Sequence, residues 1–395
     1  MTKECVENAK LHIKTNQGGI FMKRKGLISL VLVGAMAVSM LAGCSKAKET
    51  STETTAAATN AATEAVTEAA TQAAGEKLKV GFAIKTQDSP YFVALVNAVK
   101  ELGTAEGWDV TVLDANGDTM KEAENMETFI AQGMDLIFLD SVEPDACIPS
   151  INAAADAGIG VINLDSGVGE GAKDITTVYS DNKQNGRAVG LAYAEKMGDA
   201  DIKAIILSGA KGNVAGKERR TGLFCGIIEA RAGVSEEEAW ELALKFDDEL
   251  TSSGKATNAE AKFTVAGQGW GSWTEEEGLA AAEDLITANP DITTVLGEND
   301  QMLFGAMTAL GNAGIEGVDI VAAADGAKAA YDLIKAGTYF ATGENSPYKV
   351  AQLGIKIAKE ILVDGKDMWS YEDVTMTEAV AVTAENVDEY YDYGF

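Results

Sequence analysis

Residues 79–101, KVGFAIKTQDSPYFVALVNAVKE, decide the fold. A short apolar run at 79–84 passes into a helical periodicity that starts near Pro90, and the same pairing recurs along the chain. Short apolar runs alternating with longer helical patterns argue for parallel strands joined by crossover helices, an α/β class. In the first half, strands are expected at 79–84, 109–113, 136–139, 160–164 and 176–179, with helices starting near Pro90, Thr119, Asp145 and Asn182. The second half repeats the scheme, with strands at 204–207, 263–266, 293–296, 319–322 and 339–342. Its helices are expected to start near Val214, Thr274, Asp300, Gly326 and Pro347; Thr274 and Glu277 have capping-box spacing, and Asp300 is an expected N-cap.

Upstream of this pattern the composition changes. Lys23, Arg24 and Lys25 precede an uncharged run from Gly26 to Ala42 that is short for a membrane span, the polarity of a secretory signal peptide. The run ends in Leu41-Ala42-Gly43-Cys44, which resembles the lipobox of bacterial lipoproteins and implies cleavage before an acylated Cys44. Residues 1–43 are therefore expected to be removed. Residues 1–21 fit no part of a signal peptide, so translation is expected to start at Met22. Residues 45–76 are almost all Ala, Thr, Glu, Ser and Lys, too poor in apolar side chains to offset chain entropy, and read as a tether. The remaining 319 residues are enough for the core to split in two.

Charge and composition exclude several kinds of chemistry. Removing residues 1–43 takes six basic and two acidic residues from totals of 32 and 61, leaving 26 against 59, a balance that repels nucleic acid. The one histidine, His12, lies in the segment expected to be lost, which leaves no imidazole for a triad or a His-containing zinc site. Cys147 and Cys225 are far apart in helix-like segments and read as buried free thiols. Near misses are equally informative. Gly267-Gln268-Gly269-Trp270-Gly271 lacks dinucleotide-loop spacing, Gly212 to Lys217 lacks the P-loop glycines and hydroxyl, and Thr119 stands where a calcium loop starting at Asp114 needs glycine. No cofactor and no metal are expected.

The strand exits carry polar residues instead. Ligands of open parallel sheets sit outside the carboxyl ends of the strands, and those ends carry Lys85, Asp140, Asp165, Asn299, Asp325 and Asn345. Helix capping or loop solvation could explain any one of them alone.

Six segments in order resemble the ribose- and galactose-type periplasmic sugar-binding proteins, the substrate-binding components of ABC importers. They are 80–101, VINLDS at 161–166, VYSDNKQNGRAVG at 178–190, GKERRTGL at 216–223, ANPDITTVLGENDQMLFGAMTAL at 288–310 and ADG at 324–326. The resemblance implies two doubly wound lobes joined by three hinge crossings, with the ligand between them. The first lobe is expected at 77–181 plus 346–374, the second at 182–345 plus 375–395, with hinges at Ser180-Asp181, Asn345-Ser346 and 374–377. It also implies that Tyr91, Phe92 and Trp273 sandwich a sugar ring, while Asp165, Arg219, Asn299, Asp325 and Asn345 hold hydroxyls and Ser89 assists. Such side chains can make paired hydrogen bonds, and aromatic faces suit the C–H faces of a sugar.

Arg220 could replace Arg219 if the register slips by one. Ser166 follows Asp165 where ribose-type members commonly carry arginine, which sets ribose itself in question. Lys85 could meet an acidic sugar or pair with a cleft carboxylate. The acidic segment 235–260 looks like an insertion without an assigned role. The expected function is an exported, non-enzymatic lipoprotein, monomeric and anchored on the extracytoplasmic face of the cell membrane, that passes a monosaccharide to an ABC permease. A chemoreceptor-coupled sugar sensor is the alternative; a sugar-responsive repressor and a carbohydrate-active enzyme fit less well, the first because of charge and the second because fold supplies no acid/base pair.

Overall fold

The computed structural model describes residues 77–395. The expectations for the signal peptide, the Met22 start, Cys44 and the tether lie outside the described residues.

The first half reads β1 (Lys79–Ile84), α1 (Pro90–Ala105), β2 (Asp109–Asp114), α2 (Thr119–Gln132), β3 (Leu136–Leu139), α3 (Ile148–Asp156), β4 (Gly160–Leu164) and β5 (Thr176–Ser180). The second half reads α4 (Asn182–Met197), β6 (Ile202–Ser208), α5 (Val214–Ala232), α6 (Glu236–Ser253), β7 (Ala256–Asn258), β8 (Phe263–Trp270), α7 (Glu275–Ala288), β9 (Thr294–Gly297), α8 (Asp300–Ala313), β10 (Asp319–Asp325), α9 (Lys328–Lys335) and β11 (Ala341–Glu344). The chain then returns through α10 (Pro347–Leu362), β12 (Val374–Thr377), β13 (Ala381–Thr383) and α11 (Val387–Tyr390).

Two sheets result. One has the order β12-β5-β4-β3-β1-β2 with every pair parallel. The other runs β13-β11-β10-β9-β6-β8-β7, parallel except for its antiparallel edge strands.

The central strands of each sheet are buried on both faces, which is why they are apolar runs rather than alternating ones. Successive residues point to opposite faces. Phe82, Phe138 and Ile162 accordingly join the core under α1 and α10, while Ala83, Ile137 and Val161 join the one under α2 and α3. In the second lobe Ala204 and Val321 face α4, α5 and α6, whereas Ile205 and Ile320 face α7, α8 and α9. α4 and α5 touch backbone to backbone: a Cβ on Gly222 would lie 2.3 Å from the Lys183 carbonyl oxygen, and one on Gly186 2.3 Å from that of Arg219. This close approach fixes the α5 turn that carries Arg219.

Some boundaries differ from expectation. The third crossing is residues 378–380, not 374–377, because Val374–Thr377 forms β12 beside β5; the first lobe therefore extends past the expected 374/375 border. The crossings are laced together. Thr377 Oγ1 bonds Ser180 Oγ at 3.1 Å, and Asn185 donates to the Glu344 carbonyl at 2.6 Å while accepting from the Val380 N–H at 3.0 Å.

Asp300 is not the N-cap of α8. Asn299 takes that role, accepting from Met302 N at 3.2 Å, while buried Asp300 accepts from the N–H groups of Gly326 and Ala327 and from the Tyr339 hydroxyl. α9 starts at Lys328 rather than Gly326 because Gly326 adopts φ +88° to bring its N–H to that carboxylate. Cys147 and Cys225 are buried and unpaired, and burial pushes each thiol up to about 12.

Candidate functional site

Polar and aromatic side chains from both lobes meet where β1, β4, β10 and β11 end. On the first lobe, Pro90 opens α1 and places Tyr91 and Phe92 on its first turn, edge to face with ring centroids 5.5 Å apart. Lys85, one residue past β1, lies 4.3 Å from the Phe92 ring centre. Its ammonium reaches Ser166 Oγ at 2.5 Å, Asp140 at 3.3 Å and Asp165 at 3.4 Å. Of the two readings left open for Lys85, the structure shows pairing with cleft carboxylates.

Asp140 is fully buried. Burial raises its pKa to about 7 against the opposing pull of Lys85. Burial also works against the Lys85 ammonium, but Asp140 and Asp165 outweigh it and raise that pKa. Asp165 sits at φ +65°, an uncommon conformation for a residue with a Cβ and one that concentrates at functional sites.

On the second lobe, Arg219 is the hub. Its Nη1 donates to Asp325 Oδ1 at 2.7 Å and to the Glu298 carbonyl at 3.3 Å, and its Nε donates to Asn182 Oδ1 at 2.9 Å. The guanidinium carbon stands 5.7 Å from the Trp273 ring centre. Trp273 and its neighbour Ser272 both have left-handed backbones, at φ +66° and +46°. The indole lies directly over Gly209, where any Cβ would overlap the ring.

Arg220 does not take Arg219's place. It turns away into the protein toward Asp247 and Glu298. Asn345 bridges the lobes, its Oδ1 accepting from the Tyr91 hydroxyl at 3.5 Å. Tyr91 is where the lobes converge electrostatically: burial raises its pKa first, Asp165 and Asp140 add to that, and Arg219 opposes it.

Ser89 and Asn299 are both expected from sequence to contact the ligand. Ser89 precedes α1 without making a capping bond, and no hydrogen bond joins it to the cluster among the described residues. Asn299 is 4 % exposed; its Oδ1 accepts from Met302 N and its Nδ2 donates to the Trp273 carbonyl, both at 3.2 Å. It therefore holds Trp273 and the start of α8. Asn182, Asp140 and Glu298 belong to the cluster as well. Asp140 was visible as a strand exit, but nothing local in sequence pairs Asn182 or Glu298 with Arg219.

Known proteins share the sequence pattern and the fold. The chain is 26 % identical to the ribose import binding protein of Bacillus subtilis (strain 168) over 287 residues, 73 % of this chain and 82 % of that protein. A solved ABC transporter solute-binding protein from Mycobacterium smegmatis with bound glycerol superposes with a TM-score of 0.61 at 27 % identity, covering 80 % of this chain and 97 % of that one. An ABC transporter periplasmic solute-binding protein from Actinobacillus succinogenes 130z with bound D-allose shares the fold, with a TM-score of 0.64 at 24 % identity over 80 % of this chain and 100 % of that one. Residues 80–367 match the family described as periplasmic binding protein domain, and the chain belongs to the periplasmic binding protein family.

Proposed function

We propose that the cleft captures a small sugar between the lobes and that lobe closure presents it to an ABC transporter permease. The observation that carries this reading is the Arg219–Asp325 pair facing Tyr91 and Asn345. Among the described residues, Arg219 Nη2 has no acceptor and Asp325 Oδ2 has no donor, so the pair offers one of each to neighbouring hydroxyls. Tyr91, Phe92 and Trp273 supply flat apolar faces for the C–H side of a ring. Asp165 and Asp325 are each engaged by a cation, an arrangement suited to accepting hydrogen bonds rather than to acid catalysis. The bound and free chains differ in lobe population, which the permease reads.

Intrinsic fluorescence titrated with pentoses, hexoses, polyols and uronic acids tests this reading. A saturable change with one sugar, lost in Trp273→Ala, is expected. Silence across the panel with an unchanged melting temperature would move the ligand outside carbohydrates.

The same proposal places the mature protein on the extracytoplasmic face of the cell membrane, held as a monomer by lipid on Cys44. Its support is the basic, apolar and small-residue order of residues 22–44. Cys44→Ala is expected to move the protein from the membrane to the soluble fraction; retention on the membrane would count against the anchor. No described helix is long and apolar enough to cross a membrane.

A further inference from the structure

α6 lies in the acidic segment 235–260, and its buried face carries one charge. Ala239, Ala243, Phe246 and Leu250 form the apolar stripe expected of a helix packed on a core, and Asp247 lies among them at 1 % exposure. A carboxylate there requires a partner. Arg220 supplies it with a two-pronged contact, Nε to Oδ1 at 2.6 Å and Nη2 to Oδ2 at 3.2 Å. The remaining arm, Nη1, donates to Glu298 Oε1 at 3.0 Å.

Glu298 is fully buried and hands the chain on to the cleft. Its Oε2 accepts the Gly209 N–H at 2.8 Å, and Gly209 is the platform under the Trp273 indole. Its backbone carbonyl accepts from Arg219, and the next residue, Asn299, holds the Trp273 carbonyl.

We propose that Asp247 and Arg220 are positioning residues of the cleft, through which α6 sets the orientation of Trp273 and Arg219 by locking the Glu298 carboxylate. Neither residue faces the ligand. Arg220 needs both carboxylates: with Asp247 neutral, its guanidinium loses a charged partner and can rotate, and Glu298 is no longer held in one place. The direction of the effect on sugar binding rests on the cleft reading above, whereas the effect on Trp273 does not.

The test is Asp247→Asn in the full-length protein, read two ways. The first readout is the ligand-free emission of Trp273, isolated as the difference between each protein and its Trp273→Phe counterpart. The second is calorimetric titration with D-ribose, D-allose, L-arabinose and myo-inositol.

A shifted Trp273 component is expected, with affinity about tenfold weaker for whichever sugar the parent binds. Unchanged Trp273 emission would overturn the proposal even if the melting temperature fell, and so would unchanged affinity for a sugar the parent binds. If the parent binds none of the four sugars, the cleft reading loses support and the emission alone decides the role of Asp247. Should Asp247→Asn fail to fold, Arg220→Lys keeps the charge without the fork and is judged by the same readouts.

Discussion

Arg219→Lys is expected to weaken sugar binding about a hundredfold while leaving the protein folded. The guanidinium serves three oxygens at once, on Asn182, Glu298 and Asp325, from two nitrogens held apart in one plane, a spread that the single nitrogen of a lysine cannot reproduce. An ammonium keeps the charge, and so stays near Asp325, but it loses the Nε contact to Asn182 and the fixed direction of the open Nη2. Asp325→Asn is expected to cost a comparable amount. The two effects should not add, since both substitutions weaken the same 2.7 Å ion pair. Calorimetric titration of the parent, both single variants and the double variant measures this coupling. Strict additivity, or affinity in Arg219→Lys within about twofold of the parent, would remove Arg219 from the site.

The repeat of short strand and long helix was legible because burial on both faces makes parallel strands apolar throughout, and because helix starts carry local signals. Pro90, Asn182, Val214 and Pro347 begin helices where the sequence places them. Distant pairing decided the rest. Asn299 and Asp300 can both cap a helix, and the choice is made by Gly326, Ala327 and Tyr339, which saturate the Asp300 carboxylate from further along the chain. The four residues 374–377 read as linker because nothing adjacent shows that β5 offers them a free edge.

At the site, residue types at strand ends pointed to Lys85, Asp140, Asp165, Asp325 and Asn345, and to Lys85 as a partner for a cleft carboxylate, but not to the contacts of Asp325 and Asn345. The Arg219–Arg220 dipeptide illustrates the limit. Neighbours on a helix point about 100° apart, so one faces the cleft and the other the core, and sequence left open which does which. The answer lies in Asp247, whose position on an otherwise apolar stripe of α6 is itself a readable signal that a buried cation waits opposite.

The largest stability effect is expected from Lys85→Met. In the parent, Asp140 is buried with its pKa raised to about 7, and Lys85 at 3.3 Å is the cation that keeps it from rising further. Below the ordinary carboxylate range Asp140 is neutral in both folded and unfolded chains and costs nothing. From there up to about 7 the folded chain retains a proton that the unfolded chain has released, so stability falls as pH rises. Above about 7 the parent's cost is constant.

Lys85, whose pKa is raised, contributes fully until the pH passes its ordinary 10.5, so it adds no slope across the neutral range. Without Lys85, Asp140 stays protonated past 7, and the variant keeps losing stability relative to the parent by about 1.4 kcal/mol per pH unit. That loss is bounded by the roughly 3–5 kcal/mol typical of a broken buried pair. Denaturant titrations at about pH 6 and pH 9 should therefore show a small difference from the parent in acid and a large one in base. Adding Asp140→Asn to the variant should flatten this dependence. An equal loss at both pH values would mean that Lys85 stabilises through Asp165, Ser166 and the Phe92 ring rather than by holding the buried Asp140 carboxylate.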